Sequence, residues 1–96
     1  MTKYLDTLDA ALSRVVRFKP VYLVVPLGID TGAGDPTGSW SNRPKDFTEI
    51  GNRIARIGVP TVVVQEGGYR TRTLGANAHG FFKGLWEGRV VPRKWQ

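Results

Sequence analysis

The chain's 96 residues include 14 Lys and Arg against eight Asp and Glu, a formal net charge of +6, with 41% hydrophobic residues and no cysteine. This length suits one small domain or one piece of a larger one, and the apolar share is that of a globular chain. Without cysteine there are no disulfide frameworks, zinc ribbons or cysteine nucleophiles, and no apolar run approaches the roughly 20 residues that cross a bilayer. Charge also interrupts the N-terminus too often for a signal peptide, so a soluble, cytoplasmic protein with no membrane partner is expected.

From Tyr4 to Val16 the apolar residues Leu5, Leu8, Leu12 and Val15 recur at helical spacing, and the pattern stops before Lys19-Pro20. The run "VYLVVPL" (Val21 to Leu27) is apolar throughout rather than alternating, which predicts a strand covered on both faces in a parallel sheet. Pro26 weakens that strand near its end. After a glycine-rich loop from Gly28 to Asn42, Ser41 or Asn42 is placed to cap a helix that Pro44 introduces. Phe47, Ile50, Ile54 and Ile57 mark one face of this second helix before Gly58 stops it.

"PTVVVQ" (Pro60 to Gln65) reads as a second strand, parallel to the first because a helical crossover joins them. The loop "EGGYRTR" leads to a third helix from about Thr73 to Leu85, with Leu74, Ala78, Phe81, Phe82 and Leu85 largely on one side. Residues 86–96 read as an irregular tail. The whole is a single α/β unit, a βαβ element with parallel strands flanked by helices. Two strands make a poor sheet, and three helices of this size cannot cover both faces and protect two edges. Self-association or docking to another polypeptide is therefore expected.

In a parallel α/β sheet, ligands bind beyond the carboxyl ends of the strands, and both unusual loops emerge there. Asp30 can point a carboxylate into that crevice, while Gly67 and Gly68 let backbone pass close to a ligand and aim Tyr69 at it. A carboxylate suits a divalent cation, and a phenol can donate to an oxygen on which charge develops. Asp30 serves equally well as a loop cap bonding nearby amides. Asp35, before Pro36, reads as a turn former, and Glu66 as a loop residue able to pair with Arg70 or Arg72. His79, the only histidine, lies well inside the third helix and reads as a helix-face residue. Trp40, Trp86 and Trp95 read as packing or interface residues. The lysine of a phosphate loop is absent from "GAGDPTG", so nucleotide binding has little support. The basic surplus lacks a recognition helix or an aromatic-basic motif, which disfavours a nucleic-acid partner.

The segments "LGIDTGAGDPTG", the F-x-x-I-G helix, "GVPTVVVQEGGY" and the following L-G-x-N and F-x-x-G-L, in this order and spacing, resemble the C-terminal part of the histone deacetylase and acetylpolyamine amidohydrolase family. The likeness runs from about Tyr4 to Leu85. It implies a partial arginase/deacetylase-type α/β fold, a wide and mostly parallel sheet to which this chain contributes two strands. It also implies a zinc cofactor held by two aspartates and a histidine, with a histidine base assisting a zinc-activated water. Asp30 matches the last zinc ligand, Tyr69 the tyrosine that supports the carbonyl oxygen, and Gly67 and Gly68 the pocket wall. "EGGY" is similar to bacterial and polyamine-type members.

The family's paired histidines and Asp-x-His motif lie upstream of the matching region, and these 96 residues contain neither "HH" nor "DxH". A zinc hydrolase needs at least three protein ligands and an open position. The expected function is therefore that of the C-terminal part of a zinc-dependent deacetylase or amidohydrolase, acting on acetyl amides of lysine or polyamine and inactive alone. The alternative is a non-catalytic interaction or self-association module.

Overall fold

The structure, a computed structural model, describes residues 2–38 and 40–90. Its elements are α1 (Thr2–Phe18), β1 (Leu23–Gly28), a 3-10 turn (Ile29–Thr31), α2 (Pro44–Ala55), β2 (Thr61–Glu66) and α3 (Thr71–Glu87). The α/β class and the parallel pairing follow the pattern: β1 and β2 run side by side from Leu23 opposite Thr61 to Gly28 opposite Glu66. α3 continues through Trp86 and Glu87, two residues into the expected tail, while Trp95 and the rest of 91–96 lie outside the described residues. Val21 and Tyr22 precede β1 as exposed bends. Pro26 sits inside the strand, which an open edge tolerates because no ladder partner is missed there.

The cap of α2 differs from expectation. Pro44 takes the first helical position, which makes Arg43 the N-cap rather than Ser41 or Asn42. Its backbone N–H donates to Asp46 Oδ2 at 2.9 Å, so the acidic residue of the first turn closes the helix start. α2 ends at Ala55 with Arg56 as its C-cap, earlier than expected, so Ile57 lies outside the helix and Gly58, at φ +80°, turns the chain beyond it.

Leu27, Ile29, Phe47, Ile50, Ile54 and Phe81 form the buried core. Leu5, Leu8 and Leu12 of α1, Leu23 and Val25 of β1, Val63 of β2 and Leu85 of α3 close around it. All three helices thus meet on one side of the sheet. Arg53 of α2 ties α1 down through an ion pair with Asp9, and a second pair within α2, to Glu49 at 2.9 Å, steadies its guanidinium.

The tightest packing lies between α2 and α3. A Cβ placed on Gly80, Gly84 or Gly88 would stand 2.4, 1.8 or 2.5 Å from the carbonyl oxygens of Pro44, Thr48 and Asn52 in turn. Both series advance by four residues, so one glycine row of α3 and its C-cap lies along one carbonyl row of α2. On α2, Gly51 stands in the same relation to Phe81, whose carbonyl oxygen would be 2.2 Å from an added Cβ. Backbones can approach this closely only where no side chain intervenes. The apolar periodicity carries no sign of this seam.

Only one face of the sheet is covered within this chain, in keeping with three helices too few to cover both. Leu23, Val25, Leu27, Thr61 and Val63 are half-buried or buried, but Val24 and Val62, paired across the strands, are exposed, as are Pro26 and its partner Val64. Tyr22 extends this bare apolar stripe at 71% exposure. The apolar run is strand from Leu23 onward, and this chain brings a helical layer to one side of it only.

Candidate functional site

Both loops leave the carboxyl ends of β1 and β2, as parallel pairing requires, and they meet. Directly after β1 the chain folds into the 3-10 turn, where the Thr31 hydroxyl donates to the Gly28 carbonyl at 3.0 Å. Ile29 points into the core, 4% exposed, and Asp30 therefore turns the other way. Its carboxylate lies over Gly28 and Gly67: a Cβ on Gly28 would be 2.7 Å from Asp30 Oδ1, and one on Gly67 would be 3.3 Å from Oδ2. Tyr69 shares that spot, since the same Gly67 position is 3.4 Å from its Cε2. The structure thus gathers Asp30, Gly67 and Tyr69 on one rim.

Gly67 and Gly68 hold φ of +74° and +110°, backbone that residues with a side chain rarely adopt. This pair reverses the chain after β2 and brings it back over Asp30. Gly68 also rests on Ile29 and Leu74, where a Cβ would be 3.1 and 2.8 Å from side-chain carbons. Tyr69 as a residue remains 57% exposed.

The two aspartates divide the work of this loop. Among the described residues, nothing donates a hydrogen bond to the Asp30 carboxylate, so the loop-cap alternative lacks its bonds. Asp35 is fully committed. Its Oδ1 accepts from the Thr37 backbone N–H at 2.8 Å and the Thr37 hydroxyl at 2.6 Å, and its Oδ2 accepts from the backbone N–H of Tyr69 at 2.8 Å. The first two bonds are the turn expected of Asp before Pro. The third crosses to the other loop, and no local spacing announces it. The Thr37 hydroxyl holds the Asp35 carboxyl below its ordinary range; burial opposes this, and the amides of Tyr69, Thr37 and Arg70 reinforce it.

Other contacts complete the stitching. Arg70 Nη1 donates to the Ala33 carbonyl at 3.0 Å, and Gln65 Nε2 to the Gly67 carbonyl at 3.1 Å. Asn77, from the L-G-x-N segment, is buried beneath the 3-10 turn with its amide nitrogen against Gly32. Glu66 makes no ion pair among the described residues, and His79 is exposed on α3 away from the crevice. Trp40 stacks edge-on against Tyr4 at 5.8 Å, and Arg89 lies 3.6 Å from the centre of the Trp86 ring. Both tryptophans stay exposed, so these are surface contacts.

Among the described residues no three His, Cys, Asp or Glu side chains gather where a metal would be held. Asp30 fits a metal ligand in chemistry and freedom, yet it is one carboxylate where a catalytic zinc takes three protein ligands. No helix of the described residues is long and apolar enough to span a membrane.

A parallel βαβ unit whose strand-end loops place a free carboxylate beside a glycine-borne tyrosine defines the class. The sequence profile of the histone deacetylase domain matches residues 1–85, and the chain belongs to that family. It is 40% identical over 77 residues to acetylpolyamine amidohydrolase 1 of Pseudomonas aeruginosa, covering 80% of this chain and 22% of that protein. The acetylpolyamine aminohydrolase crystal structure from Burkholderia pseudomallei superposes with a TM-score of 0.86 at 38% identity, over 91% of this chain and 25% of that one. The HDA15 HD domain aligns with a TM-score of 0.74 at 25% identity, over 85% of this chain and 23% of that one. The chain thus spans about a quarter of the length of these relatives and carries their deacetylase-type fold over that quarter.

Proposed function

We propose that this chain supplies one wall of a zinc-dependent amidohydrolase site for acetylated polyamines. The observation that carries the reading is the shared rim, with the unclaimed Asp30 carboxylate and the Tyr69 phenol both against Gly67. Asp30 contributes one zinc ligand, and the other ligands and the general base come from deacetylase-domain sequence outside these 96 residues. When bound, zinc polarises the amide carbonyl and lowers the pKa of a bound water. Tyr69 donates its phenolic hydrogen to the carbonyl oxygen, a bond that strengthens as that oxygen gains charge. Water adds to the carbonyl carbon, the C–N bond breaks, and acetate and the free amine leave. The P. aeruginosa and B. pseudomallei relatives are acetylpolyamine amidohydrolases, which favours a polyamine over a protein lysine.

The bare sheet face supports the partner this reading needs. Tyr22, Val24, Val62 and Val64 form an exposed apolar surface on the side that carries no helix. Its occupant in this reading is the deacetylase sequence corresponding to the other three quarters of the relatives, since this chain folds as one quarter of such a protein does, with a TM-score of 0.86. The test mixes this chain with the preceding portion of the B. pseudomallei enzyme, zinc and an acetylated diamine. Zinc-dependent acetate release is expected from the mixture and not from the chain alone, and Tyr69→Phe lowers turnover by roughly 100-fold or more. Turnover by the chain alone, or an inactive but assembled mixture, overturns the reading. Sedimentation of the chain by itself distinguishes self-association, the alternative use of the same face.

A further inference from the structure

We infer that Asp35 is a positioning residue for Tyr69, clamping the second loop of the crevice to the first through the Tyr69 backbone amide. The inference rests on the Tyr69 role given above. Tyr69 has little else to fix it: the residue is 57% exposed, and the two residues before it are glycines in left-handed backbone. A flexible approach and this exposure leave the direction of the phenol to whatever holds the main chain at residue 69. That bond is the 2.8 Å contact from Tyr69 N–H to Asp35 Oδ2, on a carboxylate 4% exposed.

The geometry on the Asp35 side makes the clamp rigid. Oδ1 is already engaged by the hydroxyl and amide of Thr37, which fixes the carboxylate plane and aims Oδ2 across the gap. The acceptor is an anion, so the bond is shorter and stronger than one between neutral groups. One residue on, Arg70 reaches back to the Ala33 carbonyl over Gly34, where a Cβ would be only 2.2 Å from Nη1. Tyr69 is thus held between two cross-loop bonds, and only the one at Asp35 acts on its own backbone. Asparagine cannot replace it. With a single acceptor oxygen, it serves either Thr37 or Tyr69 and turns an NH2 group toward the other donor.

Amide hydrogen exchange and NMR of the full 96-residue chain test this. In the unmutated chain a coupling across the hydrogen bond between the Tyr69 amide nitrogen and Asp35 Cγ is expected; its absence overturns the inference whether or not any variant folds. Asp35→Asn should speed exchange at the Tyr69 amide roughly ten- to hundredfold, the scale set by losing a hydrogen bond to a charged group. It should also erase the proton contact between Gly67 Hα and the Tyr69 ring, while Ile54 and Val63 amides exchange as before. Thr37→Val, which keeps the Thr37 amide on Oδ1 and leaves Oδ2 in place, should loosen Tyr69 less than Asp35→Asn does. Tyr69 exchange within twofold of the unmutated chain in Asp35→Asn, or equal loosening in Thr37→Val, overturns the clamp. These readouts involve no substrate, so their failure is separate from failure of the amidohydrolase reading. In the complemented enzyme, Asp35→Asn should lower kcat but cost nothing further once Tyr69 is Phe, and additive losses would contradict action through Tyr69.

Discussion

The two faces of the sheet are built on opposite terms. On the inner side, α2 and α3 approach until glycine meets carbonyl along a four-residue repeat, and Phe47 and Phe81 are fully enclosed. On the outer side the same two strands leave valine opposite valine in the open. The helical side is closed and sensitive to a single methyl group; the bare side is an exposed apolar surface. Stability and association should therefore respond to different residues.

The largest break in that contrast is expected at the enclosed core, where Phe81→Ala should cost about 3–5 kcal/mol in denaturant-induced unfolding. Next comes the seam. Gly84→Ala places a methyl group 1.8 Å from the Thr48 carbonyl oxygen, so the helices must separate, at a cost of roughly 1–3 kcal/mol. Gly75, in the same helix with nothing within 4 Å of an added Cβ, sharpens the comparison by sign. Gly75→Ala should stabilise the chain by up to about 1 kcal/mol through helix propensity alone, and equal effects at the two glycines would remove the seam argument.

Acid should act at the loops. The Asp35 carboxyl titrates below its ordinary value of 3.8 in the folded chain, so its contribution is fully present above about pH 4 and is lost as pH falls through the lowered value. Denaturation midpoints at pH 5 and pH 3 should differ less in Asp35→Asn than in the unmutated chain. The smallest effect belongs to the bare face. Val62→Thr should leave monomer stability within about 0.5 kcal/mol, the range of surface substitutions, while weakening docking to the complementary deacetylase portion measured by sedimentation.

The meeting of Asp30 and Tyr69 was legible because it depends on topology. Parallel strands joined by a helix put both carboxyl ends on one side, and the glycines before Tyr69 announce a sharp return. The fate of Asp35 was half legible: the turn with Thr37 is local, but the bond to Tyr69 joins residues 34 apart. The α2 cap went to Arg43 because Pro44 fixes where the helix begins, and the preference of Ser41 and Asn42 for such positions does not move that start.

The order and type of the elements, their parallel pairing and the crevice at the strand ends were determined by the sequence itself, because periodicity and glycine placement are local properties of the chain. The closeness of α2 and α3, the choice of which strand residues stay bare and the tie from Asp35 to Tyr69 were decided only in the tertiary structure. Each depends on which surfaces meet across space, and a strand of valines reads the same whether a helix covers it or nothing does.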